Sequence, residues 1–330
     1  ENSAKCEAMV PVDLDIMTAI EVIFKSLACI NDSFLSDKNV SCTSKNHGVD
    51  LHEAELAFES IRKIENESLK GLIWESITNE LLSSLSKNPP DIETLRIYLT
   101  LPLYHEFVNA KNYSKLHSPF CTMVLSLEEI PRKIITAWYS QTSIEYFERL
   151  IDIFKDVLKY FLQCEIGKVQ SADKQLKFEN NFFLALNMLS LLYHINHQER
   201  KEKVPYDVFH VNEITEYFDI RNDYVIWCQD TKPNSFYLCN YPFVFDANAK
   251  HLLLQTDQAL QMHIAMQNAA TQGFFSLFGP QPNVYFVLTV SRQNIVEDTI
   301  RELHKISSAD LKKPLRVKFI GEEAEDTGGV

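Results

Sequence analysis

The chain's 330 residues suffice for one large or two ordinary domains with ample apolar content for a core. A formal net charge of −13 with no clustered Lys and Arg argues against nucleic acid as a partner. Only 8 glycines occur, three of them at Gly321, Gly328 and Gly329, so the preceding body is poor in the residue that turns demand and reads as helix.

The first expected helix runs from about Leu14 to Cys29, with Ile16, Ile20, Ile23, Phe24 and Leu27 at helical spacing. A Ser/Lys/Asn-rich stretch from Ser33 to Asp50 follows, too polar to bury much, and reads as a loop or disordered insert. Helices are then expected over Leu51 to Ile64 and Ser68 to Leu85, closed by Pro89 and Pro90, with Asp91 capping Ile92 to Tyr98. Pro102 interrupts the run Leu101 to Phe107, and Pro119 and Pro131 reset the chain again, giving short helices up to about Ser140. The clearest element is Ile144 to Leu162. Thr142 and Glu145 suggest a capping box, and Ile144, Phe147, Leu150, Ile151, Phe154, Val157, Leu158 and Phe161 make one continuous face. Asn181 to Tyr193, apolar on most sides, is its expected partner at the centre of the body.

From Lys201 to Asp207 the chain turns polar, and Tyr241 to Phe245 forms a second apolar nucleus. Asp246 can cap a helix from Ala247 to Ala269, whose Leu253, Leu260 and Ile264 recur at spacings that put them on one stripe. The segment Gly273 to Gly279 carries Phe274, Phe275 and Phe278, read as a buried hinge plug in preference to an exposed docking patch. A strand-like run from Tyr285 to Val290 leads through Ser291 and Arg292 into an amphipathic helix, Asn294 to Leu303. A second alternating strand, Leu315 to Phe319, then meets a turn from Ile320 to Val330.

That tail resembles the opening of a HECT domain, the catalytic module of one class of ubiquitin ligases. Its signature is a strand ending in a basic residue, a helix with acidic residues, a short strand and a G-E-E-x-x-D-x-G-G turn. Here these read Leu288 to Arg292, Val296 to Asp298, Leu315 to Phe319, and Gly321, Glu322, Glu323, Asp326, Gly328 and Gly329. Ala324 stands where many HECT domains have glycine, and Ser291 replaces one of two basic residues common before the helix. The stretch Tyr241 to Lys250, with Leu254 to Asp257 and Gln261-Met262, resembles the region before the HECT domain in the small HERC ligases. Leu101 to Asn109 is similar to that group's middle region. The RCC1-like propeller that precedes this region in such proteins has no counterpart repeats here.

The resemblance implies a mostly α fold, a multi-helix bundle or array with a short α+β C-terminal segment. Residues 1–50 would be a helix plus flexible polar loop, 51–200 a helical interdomain body, 201–282 a linker and helix preceding the HECT domain, and 283–330 a truncated start of the large lobe. It also implies that the transferring cysteine and the surface receiving the conjugating enzyme lie several hundred residues beyond this turn. The expected function is then the helical interdomain and lobe-stabilising part of a HECT-type E3 ubiquitin-protein ligase. Its expected partners are proteins: ubiquitination substrates, the remaining HECT lobes and the parent's propeller, with no nucleic acid and no membrane. The alternative is a non-catalytic helical interaction scaffold derived from a truncated HECT ligase.

No residue in the chain is expected to be catalytic, to bind a cofactor or to hold a metal. The seven cysteines (Cys6, Cys29, Cys42, Cys121, Cys164, Cys228 and Cys239) are odd in number, scattered and without a CxxC pair, which suits reduced, mostly buried thiols in a cytoplasmic protein. The sequons at Asn31, Asn39, Asn66 and Asn112 are then chance, and no targeting or membrane-spanning segment is visible. His194 and His197 with Glu199 could begin a metal site or, for contrast, a metal-dependent hydrolase. Zinc wants three or four ligands, whereas His194, His197 and Arg200 suit a helix end, where cations meet exposed carbonyls. Glu322, Glu323, Glu325 and Asp326 read as a solvated architectural turn in which Asp326 can bond its own backbone, and Arg292 as an ion-pair former with Glu297 or Asp298.

Overall fold

The computed structural model of the protein describes residues 14–37, 41–166, 180–198, 202–229, 237–275, 283–322 and 325–326. The chain divides into two compact units, Glu1–Phe218 and Asp219–Val330. The described residues are mostly helical, with a small sheet near the C-terminus.

In the first unit the expected opening helix is two, α1 (Leu14–Lys25) and α2 (Leu27–Ser33). Ser26 leaves helical geometry at ψ 117°, and its hydroxyl accepts from the Cys29 amide, so it caps a new helix. Helix α3 (Leu51–Arg62) is capped by Asp50, and α4 (Glu67–Glu75) by Asn66, whose Oδ1 accepts from the Ser68 and Leu69 amides. The expected helix to Leu85 does continue, but with altered winding: a π turn over Ser76–Leu81 and a 3₁₀ turn over Leu82–Ser84. Ile73, Ile77 and Leu81, spaced by four, all stay in the core through this change of winding.

Asp91 accepts from the Thr94 amide at 2.8 Å and starts a 3₁₀ turn over Glu93–Arg96 that runs into α5 (Ile97–Thr100). Short 3₁₀ and π turns then lead to α6 (Ser118–Ser126) and α7 (Glu129–Gln141), with Pro119 and Pro131 in their first turns. A first-turn proline costs no intrahelical hydrogen bond. Helices α8 (Ile144–Ile166) and α9 (Asn180–Gln198) pack on each other as the sequence suggests. The cap of α8 differs from expectation by one residue: Ser143 Oγ accepts from the Tyr146 amide at 3.1 Å, while the Thr142 hydroxyl donates back to the Tyr139 carbonyl. Helix α10 (Glu213–Tyr217) closes the unit.

Phe147, Phe154, Phe182, Trp138 and Tyr139 are buried around this pair, each such side chain stabilising the fold by roughly 1.5–3 kcal/mol. Two buried tyrosines satisfy their hydroxyls on α5, Tyr139 on the Tyr98 carbonyl at 3.0 Å and Tyr146 on the Leu99 carbonyl at 2.6 Å. The polar stretch Ser33 to Asp50 is a loop whose described part is fastened to the helices. Trp138 Nε1 donates to the Thr43 carbonyl at 3.0 Å, and Arg96, itself buried, donates to the His47 carbonyl at 2.8 Å. Long, polar and pinned side chains from the helical body supply what the loop's own composition lacks.

The second unit begins with α11 (Ile220–Gln229), followed by 3₁₀ turns over Leu238–Asn240 and Pro242–Val244 that bury Leu238, Phe243, Val244 and Phe245. Asp246 accepts from the Ala249 amide at 2.7 Å and caps α12 (Ala247–Phe275), longer than expected by six residues. Asp257 ties α12 to α11, accepting from the Tyr224 hydroxyl at 2.7 Å. The helix runs through the start of the Phe-rich segment, and the rest of Gly273 to Gly279 lies outside the described residues. Strands β1 (Phe286–Val290) and β2 (Leu315–Phe319) pair in parallel, Phe286 opposite Leu315 and Val290 opposite Phe319. Helix α13 (Ile295–Leu303) makes the crossover, and β3 (Glu325–Asp326) adds antiparallel to β2.

Candidate functional site: the strand-helix-strand tail

The two histidines that could have begun a metal site turn back on their own helix. His194 Nδ1 lies 2.6 Å from the Ser190 carbonyl and His197 Nδ1 2.9 Å from that of Tyr193, while His197 Nε2 meets Glu202 at 3.1 Å. Glu199 and Arg200 lie outside the described residues. No group of three or more His, Cys, Asp or Glu is poised around a common point among the described residues. Burial pushes the thiols of Cys121, Cys42 and Cys239 above the ordinary cysteine value, the opposite of what a thioester-forming nucleophile requires. Cys6 lies outside the described residues.

The tail is built around Arg292. The sequence pointed to Glu297 or Asp298 as its partner, but the guanidinium pairs with Glu322, donating from Nε and, at 3.0 Å, from Nη2 to the two carboxylate oxygens. Its Cζ sits 4.1 Å from the centre of the Phe319 ring, so the cation is held between β2 and the turn that follows. Glu322 can reach it because Gly321 turns the chain at φ +87°, a conformation in which a side chain would be strained. The guanidinium's hydrogen bonds and charge hold the Glu322 carboxyl below the usual carboxylate range. Glu323, Ala324, Gly328 and Gly329 lie outside the described residues.

Asp298 takes a different role. Buried to 5 % exposure, it accepts from the Ser291 amide at 2.8 Å and pairs with Arg301. The amide bond, first, and Arg301 hold its carboxyl below the ordinary value. Helix α13 is thus fastened to the end of β1 by a carboxylate, and its apolar stripe faces the other way. Val296, Ile300 and Leu303, spaced by four and three, are 70 %, 52 % and 41 % exposed. Ile320 is exposed nearby in sequence, beyond β2. Along α12, Ala249 and Ala269 are buried and Leu253 and Leu260 half-buried, but Ile264 of the expected stripe is exposed, as is Leu254.

No protein-family model matches the chain. Its similarity to individual proteins is extensive. It is 34 % identical to human probable E3 ubiquitin-protein ligase HERC4 and 37 % identical to human probable E3 ubiquitin-protein ligase HERC3, over 96 % and 93 % of its length. Along almost its whole length the chain is similar to a segment of these HERC-type HECT ligases. The chain spans about a third of the length of those curated relatives, 32 % and 30 % respectively. Human probable E3 ubiquitin-protein ligase HECTD2 is similar at 25 % identity over 93 % of the chain, so the likeness reaches beyond the HERC group. Among the described residues no helix is long and apolar enough to cross a membrane.

Sequence reasoning missed two features of the tail. The Arg292–Glu322 pair had a legible signal, a cation at the end of one strand and an acid just past the glycine that ends the next. The outward stripe of α13 had none, since amphipathic spacing says that a helix has two faces and leaves open which one meets the sheet.

Proposed function

We propose that this segment is the helical interdomain and lobe-stabilising part of a HECT-type E3 ubiquitin-protein ligase, with its tail forming the first strand-helix-strand of the catalytic large lobe. One observation carries the reading: α13 docks through buried Asp298 and leaves Val296, Ile300 and Leu303 outside. An amphipathic helix gains most when its apolar stripe is covered. Further residues of the large lobe are the natural cover. Helix α12, with half-buried Leu253 and Leu260, would brace the same lobe from its N-terminal side. Ubiquitin transfer would then pass through a cysteine thioester outside these residues, in a reducing, cytoplasmic setting that suits unpaired thiols. Substrates and the parent's own propeller are the proposed protein partners.

A ubiquitin-discharge assay tests this directly by comparing the 330-residue chain with the extended protein, each given a charged conjugating enzyme. The expected result is a reductant-sensitive adduct on the extended protein and none on the chain alone. An adduct on the chain that disappears when one of its seven cysteines is replaced would overturn the reading.

A further inference from the structure

The polar loop that ends at the cap of α3, unused by the ligase reading, is held shut around His47. The Val49 amide donates to His47 Nδ1 at 3.0 Å, so that nitrogen is an acceptor and the ring proton sits on Nε2. The ring stands edge to face on Trp138 of α7, 5.9 Å between centres and 69° apart. The residue's own carbonyl accepts from Arg96 Nε at 2.8 Å, and the Thr43 carbonyl accepts from the Trp138 indole. Beside His47 the two arms of the loop pair: the Ser36 amide donates to the Gly48 carbonyl at 2.9 Å, Leu35 bridges Val49, and the Asp50 amide donates to the Phe34 carbonyl at 2.7 Å.

A proton on Nδ1 is incompatible with this arrangement. It turns the acceptor into a donor aimed at the Val49 N–H, and that hydrogen bond is lost outright. It also sets an imidazolium beside the Arg96 guanidinium, which is buried and therefore little screened by solvent. Burial, first, and Arg96 hold the imidazole below its ordinary pKa of 6.5.

Charged groups surround the loop on both sides. On the Arg96 side, Asp32 of α2 lies 3.9 Å from the guanidinium and is itself exposed, and Asp91 and Glu93 act with Arg96 on the neighbouring Cys42 thiol. On the other side Ser36, His47 and Val49 wall an open cavity of about 690 Å³ with the first turns of α3 and α8. There Asp50 accepts from the Glu53 amide, Glu55 pairs with Arg149 at 3.6 Å, and His52 and Glu145 are exposed. None of these carboxylates outweighs burial and Arg96 at the imidazole.

We propose that the Thr43 to Val49 loop is a pH-sensitive clasp, closed over Trp138 and Arg96 while His47 is neutral and opened when His47 takes a proton on Nδ1. The open loop lets the imidazole return to its ordinary pKa, so protons favour opening. Closure is therefore complete above pH 6.5 and weakens as pH falls below it. Opening brings the buried Trp138 and Arg96 side chains into contact with water and removes one wall of the cavity.

The test follows hydrogen exchange by NMR in the 330-residue chain from about pH 8 to about pH 5, a range that brackets an ordinary imidazole. Protection is read at the Val49 amide and the Trp138 indole N–H, each corrected for the exchange rate of the free group. Both should lose about tenfold protection as His47 titrates, the size of one hydrogen bond. The Phe154 amide inside α8 is the control and should keep its protection. His47→Asn retains a short acceptor two residues before the Val49 amide and takes up no proton, so it should stay protected at the acid end. His47→Ala should have lost the Val49 protection already at the alkaline end. Constant protection of Val49 and Trp138 across the range, an equal loss in His47→Asn, an equal loss at Phe154, or full Val49 protection in His47→Ala would each overturn the clasp.

Discussion

Replacing Val296 and Ile300 by serine separates a helix that is finished in this chain from one that awaits cover. Val296 is 70 % and Ile300 52 % exposed, and full burial of such a side chain contributes roughly 1.5–3 kcal/mol. The uncovered fractions therefore leave about 1–2 and 0.8–1.6 kcal/mol still to be gained, or about 2–3.5 kcal/mol for the pair. In the 330-residue chain the double variant should behave like a surface change, within about 0.5 kcal/mol per site. In a parent ligase with an intact large lobe it should cost the full 2–3.5 kcal/mol, to order of magnitude. Hydrogen exchange at the Phe286 to Val290 amides, read in both proteins, reports the local opening free energy of β1 directly. Equal losses in the two proteins, large or small, would refute the idea that lobe residues cover α13.

Asn196 is buried and serves three backbone groups, accepting from the Lys203 and Val204 amides and donating to the Val204 carbonyl, so Asn196→Ala should destabilise the first unit by about 2–4 kcal/mol in a urea titration. His117 is buried against the Phe107 carbonyl, and burial lowers its pKa from 6.5. The unfolded chain takes up the proton first, so this contribution is complete above pH 6.5 and is lost as pH falls below it. His117→Gln should flatten the fall in melting temperature between pH 7 and 5, with His47 and His105, also lowered by burial, keeping part of the slope; an unchanged slope would remove His117 from the account. Leu253→Ala with Leu260→Ala, both half-buried on α12, should lower lobe melting and ubiquitin transfer together in the parent ligase, and unchanged melting and autoubiquitination would make the helix a mere tether.

Much of the helical body was legible because one long amphipathic face, Phe147 to Phe161, and one apolar helix, α9, could only satisfy each other. The tail's strands and helix were legible for the same reason at shorter range. What escaped the sequence was set by local competition among hydroxyls and carboxylates. Ser26 breaks the first helix by capping a second, and Ser143 rather than Thr142 caps α8, because a one-residue shift in such caps alters no hydrophobic spacing. The burial of Asp298 was equally hidden, since its partner is a backbone amide that every sequence possesses. For the candidate site, the acid and the cation of the tail could be named in advance, but not who pairs with whom.

The Trp138 bond to the Thr43 carbonyl joins positions 95 residues apart. A ribosome adding roughly 5–20 residues per second therefore leaves about 5–20 s between the emergence of the loop and the arrival of the indole that seats it. Arg96, 49 residues from the His47 carbonyl it holds, emerges first and gives the loop its earlier anchor, and the appearance of α7 supplies the second.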